Sequence, residues 1–570
     1  VPKTPKLRIL TTACILMTMT TACQDVKEPA VPPADLVLRG GKIVTIDAEK
    51  PEAQALAARD GEIVAVGSDE EIAAYVGEAT EVVDLAGRLA IPGFVEAHAH
   101  FVGLGDSKMQ LELRSAESWE EIVAQVAEAA AAAEPGTWIR GRGWHQDKWV
   151  SDPEPAVEGF PVHSALSEVA PEHPVVLTHA SGHAVMVNFK AMELAGIDES
   201  TPDPPGGELI RDAEGRPTGL LSETAEELVT VVYSPDGQLP AADVRRAIRL
   251  ASEECLRKGV TAFHDAGSSF ETIDLLRESA ENGGLGVRLW VMVLGSEDDL
   301  AEKLADYRAD DGLLSVGGVK LWIDGALGSR GAWLLEPYAD SPDSTGLNLV
   351  PLDEAKRVAE LALENDYQMA IHAIGDRANR EVLDLYENVF EEHGVKEKDL
   401  RWRIEHAQHL HADDVPRFAE LGIIPSVQTV HCTSDAPWVP ERIGDERAQT
   451  GAYVWRDLLE SGAKIANGTD APVEDVDPIA NFYAAVSRRM ADGEVFYPEQ
   501  RMTREEALRS MTLDAAYAAF DEGVMGSLEP GKVADVVVLS KDILTVPEEE
   551  ILDAEVDLTI RGGEVAYRRE

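Results

Sequence analysis

Cysteine is scarce in this chain, with four in 570 residues. Two of them, Cys14 and Cys23, fall within the first 23 positions, which leaves Cys255 and Cys432 for everything after. A disulfide-stapled scaffold is therefore excluded, and the later pair reads as small buried or pocket residues. Basic residues are also few: 51 Lys plus Arg stand against 104 Asp plus Glu, a formal net charge of -53. A surface of that sign repels nucleic acid and anionic head groups, so neither is expected as a partner. A heavily hydrated surface, suited to a medium whose salt screens self-repulsion, accounts for the imbalance. No apolar run reaches the roughly 18 residues of a membrane span, and no internal repeat is present. What remains is a globular composition, with 44% hydrophobic and 27% charged residues, in a chain longer than one ordinary domain.

The N-terminus carries a targeting pattern. Lys3, Lys6 and Arg8 precede a short apolar run, Ile9–Met19, which ends in Thr20-Thr21-Ala22-Cys23. That order is the one found in bacterial lipoprotein signals, although Thr20 stands where an aliphatic residue is usual. Residues 1–23 are thus expected to be an export signal and 24–34 a Pro-rich tether. The expected location is the periplasm or cell envelope, with the membrane touched only through a lipid on Cys23.

Beyond the tether, Asp35–Ile46 reads as a strand, a Gly turn and a second strand; Ala53–Ala58 and Glu62–Val66 continue the pattern. The other end matches it, with Ala534–Ser540 and Leu558–Tyr567. The two ends, 35–91 and 523–570, are expected to combine into one small β-sandwich domain. Residues 92–522 alternate helix formers such as Glu120–Ala133 with short apolar runs: Leu289–Val293, Val319–Ile323, Met369–Ile371, Arg403–Ile404 and Lys464–Ala466. This α/β alternation predicts a parallel sheet closed as a (β/α)8 TIM-type barrel. A stretch at about 134–234, rich in Trp, Pro and Gly, breaks the rhythm and is expected to be an insertion over one mouth.

The chemistry lies at the strand ends. In Pro92-Gly93-Phe94-Val95-Glu96-Ala97-His98-Ala99-His100, the two histidines are two apart and share a strand face. Further apolar runs end in His372, in Glu405-His406 and in Asp470. A barrel gathers all such ends at one rim. Four histidines and an aspartate there suit one or two divalent cations of the zinc kind.

Other segments accompany them: Gly141-Arg142-Gly143-Trp144, Gly182-His183 with Val187-Asn188, His264-Asp265-Ala266-Gly267, Val319-Lys320, Asp324-Gly325 and Gly328-Ser329-Arg330. In this order the set resembles the amidohydrolase superfamily, in its YtcJ-like branch (amidohydrolase family 3), which includes N-substituted formamide deformylases. The resemblance covers nearly everything from Asp35 onward. It implies that His98, His100 and Asp470 hold one metal and that His372 and His406 hold the second. It also implies that Lys320, once carboxylated, bridges the two. A free ammonium would repel a cation, so the alternative for Lys320 is an ion pair with Asp324 or Glu405. The implied reaction is hydrolysis of a non-peptide C–N bond in an amide, formamide or cyclic amide of a small-molecule substrate. A metal-activated water would attack, with Asp470 taking its proton and passing it to the leaving nitrogen. Glu96 stands where many relatives carry Asp; on the histidine face, it is expected to support the site.

His183, His264, Arg330 and Trp144 are candidates for substrate contact, each against a structural role. His409, His411 and His431 read as supporting or surface residues. Two other classes stay open: a binding or regulatory protein that kept the barrel without turnover, and a metal-dependent lyase or isomerase. The oligomeric state is open, a homodimer included.

Overall fold

The computed structural model describes residues 31–146, 149–179, 184–204, 207–234, 239–396 and 398–570. The signal, Cys23, most of the tether and His183 lie outside these.

Eight parallel strands form the central sheet: β1 (Phe94–Ala99), β2 (Val260–Ser268), β3 (Arg288–Val293), β4 (Leu314–Trp322), β5 (Gln368–Ala373), β6 (Arg403–His406), β7 (Ile424–Gln428) and β8 (Ala466–Gly468). They neighbour one another in chain order. Asp470 N donates to His98 O at 2.7 Å and His100 N to Ala471 O at 2.8 Å, which brings the segment after β8 back to β1. Gly468 permits that approach, since a Cβ there would overlap the Glu96 carboxylate and the His98 backbone. Strands β1, β5, β6, β7 and β8 are buried at every residue, which is why they read as apolar runs without alternation. Helices surround the sheet, and their start signals are legible: Ser269 and Ser296 each accept a hydrogen bond from the backbone N–H three residues on, satisfying a donor that the first turn leaves open.

Between β1 and β2 the chain builds a second sheet. Its strands lie in the order Gly207–Arg211, Pro217–Glu223, Ala184–Val187, Val175–His179, Ile139–Trp144 and Leu111–Glu112. The helix Trp119–Ala132, capped by Ser118, packs on it, and Trp119, Trp144, Trp149 and Leu177 share its core. The inserted unit therefore extends upstream of the Trp-, Pro- and Gly-rich stretch. The chain leaves and rejoins the barrel through two helices, Phe101–Ser107 and Ala241–Arg257. Gly105 lets them touch, because a Cβ there would overlap the Ala247 carbonyl.

The two chain ends meet in two further sheets. One orders Glu62–Gly67, Ala55–Arg59, Leu36–Arg39 and Glu81–Asp84; the other orders Glu564–Arg568, Val556–Arg561, Val536–Leu539, Leu89–Pro92, Lys42–Val44 and Glu52–Ala53. Leu36, Leu38, Leu56, Val83, Val536, Val538 and Leu558 fill the core between them. The strands on either side of Gly40-Gly41 thus belong to different sheets. Both Cys255 and Cys432 are buried and unpaired. Among the described residues, no helix is long and apolar enough to cross a membrane.

Candidate active site

The strand ends converge on one cavity of about 330 Å³ whose lining includes His98, His100, Lys320, His372, His406, His431 and Asp470. Backbone geometry aims several of them. His406 and Asp470 have φ of 75° and 61°, a conformation that disfavours side-chain-bearing residues and clusters at functional sites.

Asp470 is the centre. Its Oδ1 lies 3.3 Å from His100 Nε2 and 3.6 Å from His98 Nε2, while Oδ2 lies 4.0 Å from His431 Nε2. Two triads of donor atoms result, each with its members within 4.8 Å of one another: His98, His100 and Asp470, and His406, His431 and Asp470. His372 adjoins the second, its ring centroid 4.4 Å from that of His406. Its Nε2 faces Asp324 Oδ1 at 3.5 Å.

The polar atoms facing this space are short of partners. His98 Nε2, His372 Nε2, His431 Nε2, Lys320 Nζ and Asp470 Oδ1 are buried without a hydrogen bond. Each such group costs about 1–3 kcal/mol when left unsatisfied. Imidazoles and a carboxylate are the donors that zinc-like ions prefer, so the residues fit divalent cations. Protonation agrees. Burial, reinforced by Lys320, pushes His98 down to about 4, and burial holds His372 and His406 well below the usual histidine range. Burial opposes ionisation of Asp470, but its contact with His100 and the fields of His98 and His406 outweigh it and hold the carboxyl below the usual range.

Beneath the cavity lies an ionic layer. His98 Nδ1 contacts Glu405 Oε2, and Glu405 also accepts from Arg403 Nε (2.6 Å) and Nη2 (3.1 Å). Arg403 further donates to Ala97 O (2.6 Å) and Ser426 Oγ (2.9 Å), and its Nη1 meets His264 Nδ1 at 3.1 Å. Gln428 Oε1 holds His406 Nδ1 at 2.7 Å. These contacts fix ring orientation so that the opposite nitrogens face the cavity. Glu96 supports the site through the backbone rather than through a ring. It accepts from the backbone N–H of His98 (3.0 Å) and from Thr469 N and Oγ1 (2.8 Å each), so it ties β1 to the Asp470 loop and touches no imidazole ring.

Lys320 is 1% exposed and forms neither of the ion pairs considered for it; its Nζ sits 5.5 Å from the Trp322 ring centroid. Burial pushes its pKa down to about 8. Asp324 instead accepts from the backbone of Trp333, Ile374 and Gly375, pinning the loop after β4 to the end of β5.

The proposed substrate contacts fare less well. Trp144 is fully buried in the inserted unit, its indole donating to Leu177 O at 2.8 Å. Arg330 makes two hydrogen bonds to Asp340, at 3.2 and 2.7 Å. His264 lies in the layer beneath, against Arg403 and Trp290. None of the three lines the cavity. Conversely, His431 joins the metal-ligand candidates, where its sequence position suggests only a supporting or surface residue. It sits on the helix Thr429–Asp435 directly after β7, and that strand end was the signal available. Of the other two, His409 is buried and His411 is 44% exposed.

Known proteins place this geometry. A profile of the Amidohydrolase family matches residues 81–567. The protein LONG AFTER FAR-RED 3 of Arabidopsis thaliana is 35% identical over 95% of this chain and 92% of its own length. The putative amidohydrolase YtcJ of Bacillus subtilis is 31% identical over 94% and 99%. The N-substituted formamide deformylase of Arthrobacter pascens is 27% identical over 94% and 98%. The crystal structure of a metal-dependent hydrolase from Pyrococcus horikoshii superposes with a TM-score of 0.74 at 29% identity, covering 90% of this chain and 99% of that one. With a barrel of eight parallel strands and histidines sharing an aspartate at one rim, the chain belongs to the amidohydrolase family, as a YtcJ-related metal-dependent hydrolase.

Proposed function

We propose that the protein hydrolyses a non-peptide C–N bond in an amide, formamide or cyclic amide, using two divalent ions of the zinc kind. The observation that carries this reading is Asp470, shared by two triads of donor atoms in one cavity. When bound, such ions polarise a carbonyl-type group and acidify a coordinated water. His98, His100 and Asp470 would hold one. His406 and His431 would hold the other, with His372 and Lys320 beside them. Carboxylation of the Lys320 amine turns a repelled cation into an oxygen donor, and its burial without a partner supports that change. Asp470 stands where it can accept a proton from the attacking water and hand it to the leaving nitrogen. Glu405, itself held by Arg403, keeps the His98 ring oriented, while burial and Lys320 keep it neutral. The relative that deformylates N-substituted formamides supports the C–N bond as target. A barrel without turnover has no physical need for so many unpartnered polar atoms in one cavity. The basic start, short apolar run and Thr20-Thr21-Ala22-Cys23 support export and lipidation at Cys23.

The test is metal analysis of the purified protein alongside hydrolysis of N-acyl and formamide substrates. About two zinc-like ions per chain, depleted in His98→Ala, with turnover lost in Asp470→Ala, is the expected result. Failure to bind metal even after reconstitution with zinc and bicarbonate would overturn the mechanism.

A further inference from the structure

Away from the metal-ligand candidates, the cavity wall includes Trp322, Trp438, Leu327, Ile374, Asp435 and Glu474. Among the described residues lining it, the only lysine or arginine is Lys320, on the floor with the histidines. Among the described residues, no lysine or arginine pairs with either wall carboxylate, and only the His431 ring acts on Asp435 as a cation when protonated. Asp435 accepts from Gln408 Nε2 at 2.9 Å and from the Tyr453 hydroxyl at 2.7 Å, both at Oδ2, which leaves Oδ1 free. Glu474 makes no hydrogen bond or ion pair within the described structure. Its neighbours Asp475 and Asp477 are paired with Lys258. Arg442 approaches the Trp438 ring, at 6.0 Å from its centroid, but its guanidinium is committed to Asp340 and to Gly328 O.

Two carboxylates without a lysine or arginine partner beside two indoles form the environment that holds an ammonium, through charge and through the negative faces of the rings. A chain of net charge -53 also raises the local concentration of cations and lowers that of anions. We propose that the substrate is an amide whose far end carries a protonated amine or quaternary ammonium, seated by Asp435, Glu474, Trp322 and Trp438 while the scissile C–N group faces Asp470. This rests on the C–N hydrolase reading. It adds that specificity is set by a positive charge remote from the reacting carbon.

The experiment compares, on the metal-loaded enzyme, N-(trimethylammoniopropyl)formamide with its neutral carbon isostere, and measures binding of choline against its neutral dimethylbutanol isostere by calorimetry. The expected preference for the charged member is at least about tenfold in kcat/KM and in affinity, weakening as salt rises. Glu474→Gln and Asp435→Asn should each shrink that ratio several-fold. Equal kcat/KM for the two formamides would overturn the cation seat and leave the hydrolase reading standing; the wall carboxylates would then serve only to offset metal charge. Preferential binding of choline without turnover of either formamide would support the seat and count against the hydrolase reading. A preference for the neutral members in both assays would overturn the seat outright.

Discussion

Glu405→Gln isolates the ionic layer beneath the metal-ligand candidates. The carboxylate is 0% exposed, as is its partner Arg403, and it joins that guanidinium to His98 Nδ1. The glutamine keeps nearly the same shape and can still accept one hydrogen bond from the imidazole. It cannot answer the charge of Arg403, which would keep Ala97 O, Ser426 Oγ and His264 Nδ1 but no anion. Breaking a buried pair from one side costs about 3–5 kcal/mol, most of it from the stranded charge. Loss of a group that orients a metal-binding histidine weakens metal affinity about 10–100-fold, or about 1.4–2.7 kcal/mol. Competition against a chromophoric chelator measures the affinity, and thermal unfolding of the metal-free protein measures the stability. The two effects separate in Arg403→Met/Glu405→Gln. Removing both charges should recover most of the stability, because no charge is then left unpaired, while metal affinity stays low because His98 has lost its carboxylate. A Glu405→Gln protein with undiminished metal affinity would refute the claim that this carboxylate sets the His98 ring. A double variant no more stable than the single one would refute the stranded-charge account.

Other outcomes follow from the same structure. His431→Ala should cost the protein one of the two ions proposed for it by metal analysis; unchanged content would show that His372 supplies the donor instead. Gly105→Ala drives a methyl into the Ala247 carbonyl, and two helix backbones cannot yield as a side chain does. The expected loss is about 3 kcal/mol, or a fall of roughly 3 °C in Tm by calorimetry; an unchanged Tm would show that the helices separate freely. Asp521 is pushed up to about 6 by burial and by Asp310, against an opposing pull from Arg288. The folded state therefore holds the proton more tightly than the unfolded chain, whose carboxyl titrates near roughly 3.9. Stability falls as pH rises from about 4 to about 6 for this group, and Asp521→Asn escapes that loss. The variant should match the parent below about pH 4 and exceed it by about 3 kcal/mol at pH 7; a variant less stable at pH 7 would reverse the assigned sign.

The barrel was legible because its strands are buried on both faces and so stand out as apolar runs, and because metal-ligand candidates close several of them: His98 and His100, His372, His406 and Asp470. The two-ended β domain was legible from matching strand-rich segments at Asp35 and Ala534. Other features were hidden for physical reasons. His431 lies on a helix beyond a strand, where spacing says nothing about direction. Trp144 and Arg330 sit in glycine-rich segments that read as pocket loops, yet one fills the core of the inserted unit and the other is held by Asp340. Whether a side chain at a loop faces substrate or its own core depends on packing between segments distant in sequence, which local pattern does not encode.

The pairing of Val536–Leu539 with Leu89–Pro92 bears on how the protein is made. The N-terminal strands leave the ribosome first, yet one of their sheets cannot be completed until the last strands emerge. Until then Leu89–Pro92 presents an open edge with buried-type side chains, the kind of template that recruits other chains. Synthesis of the intervening barrel and inserted unit sets how long that exposure lasts. Loss of the C-terminal strands would make it permanent, so truncations near Val536 should fail by aggregation during production, whatever their effect on chemistry at the opposite rim.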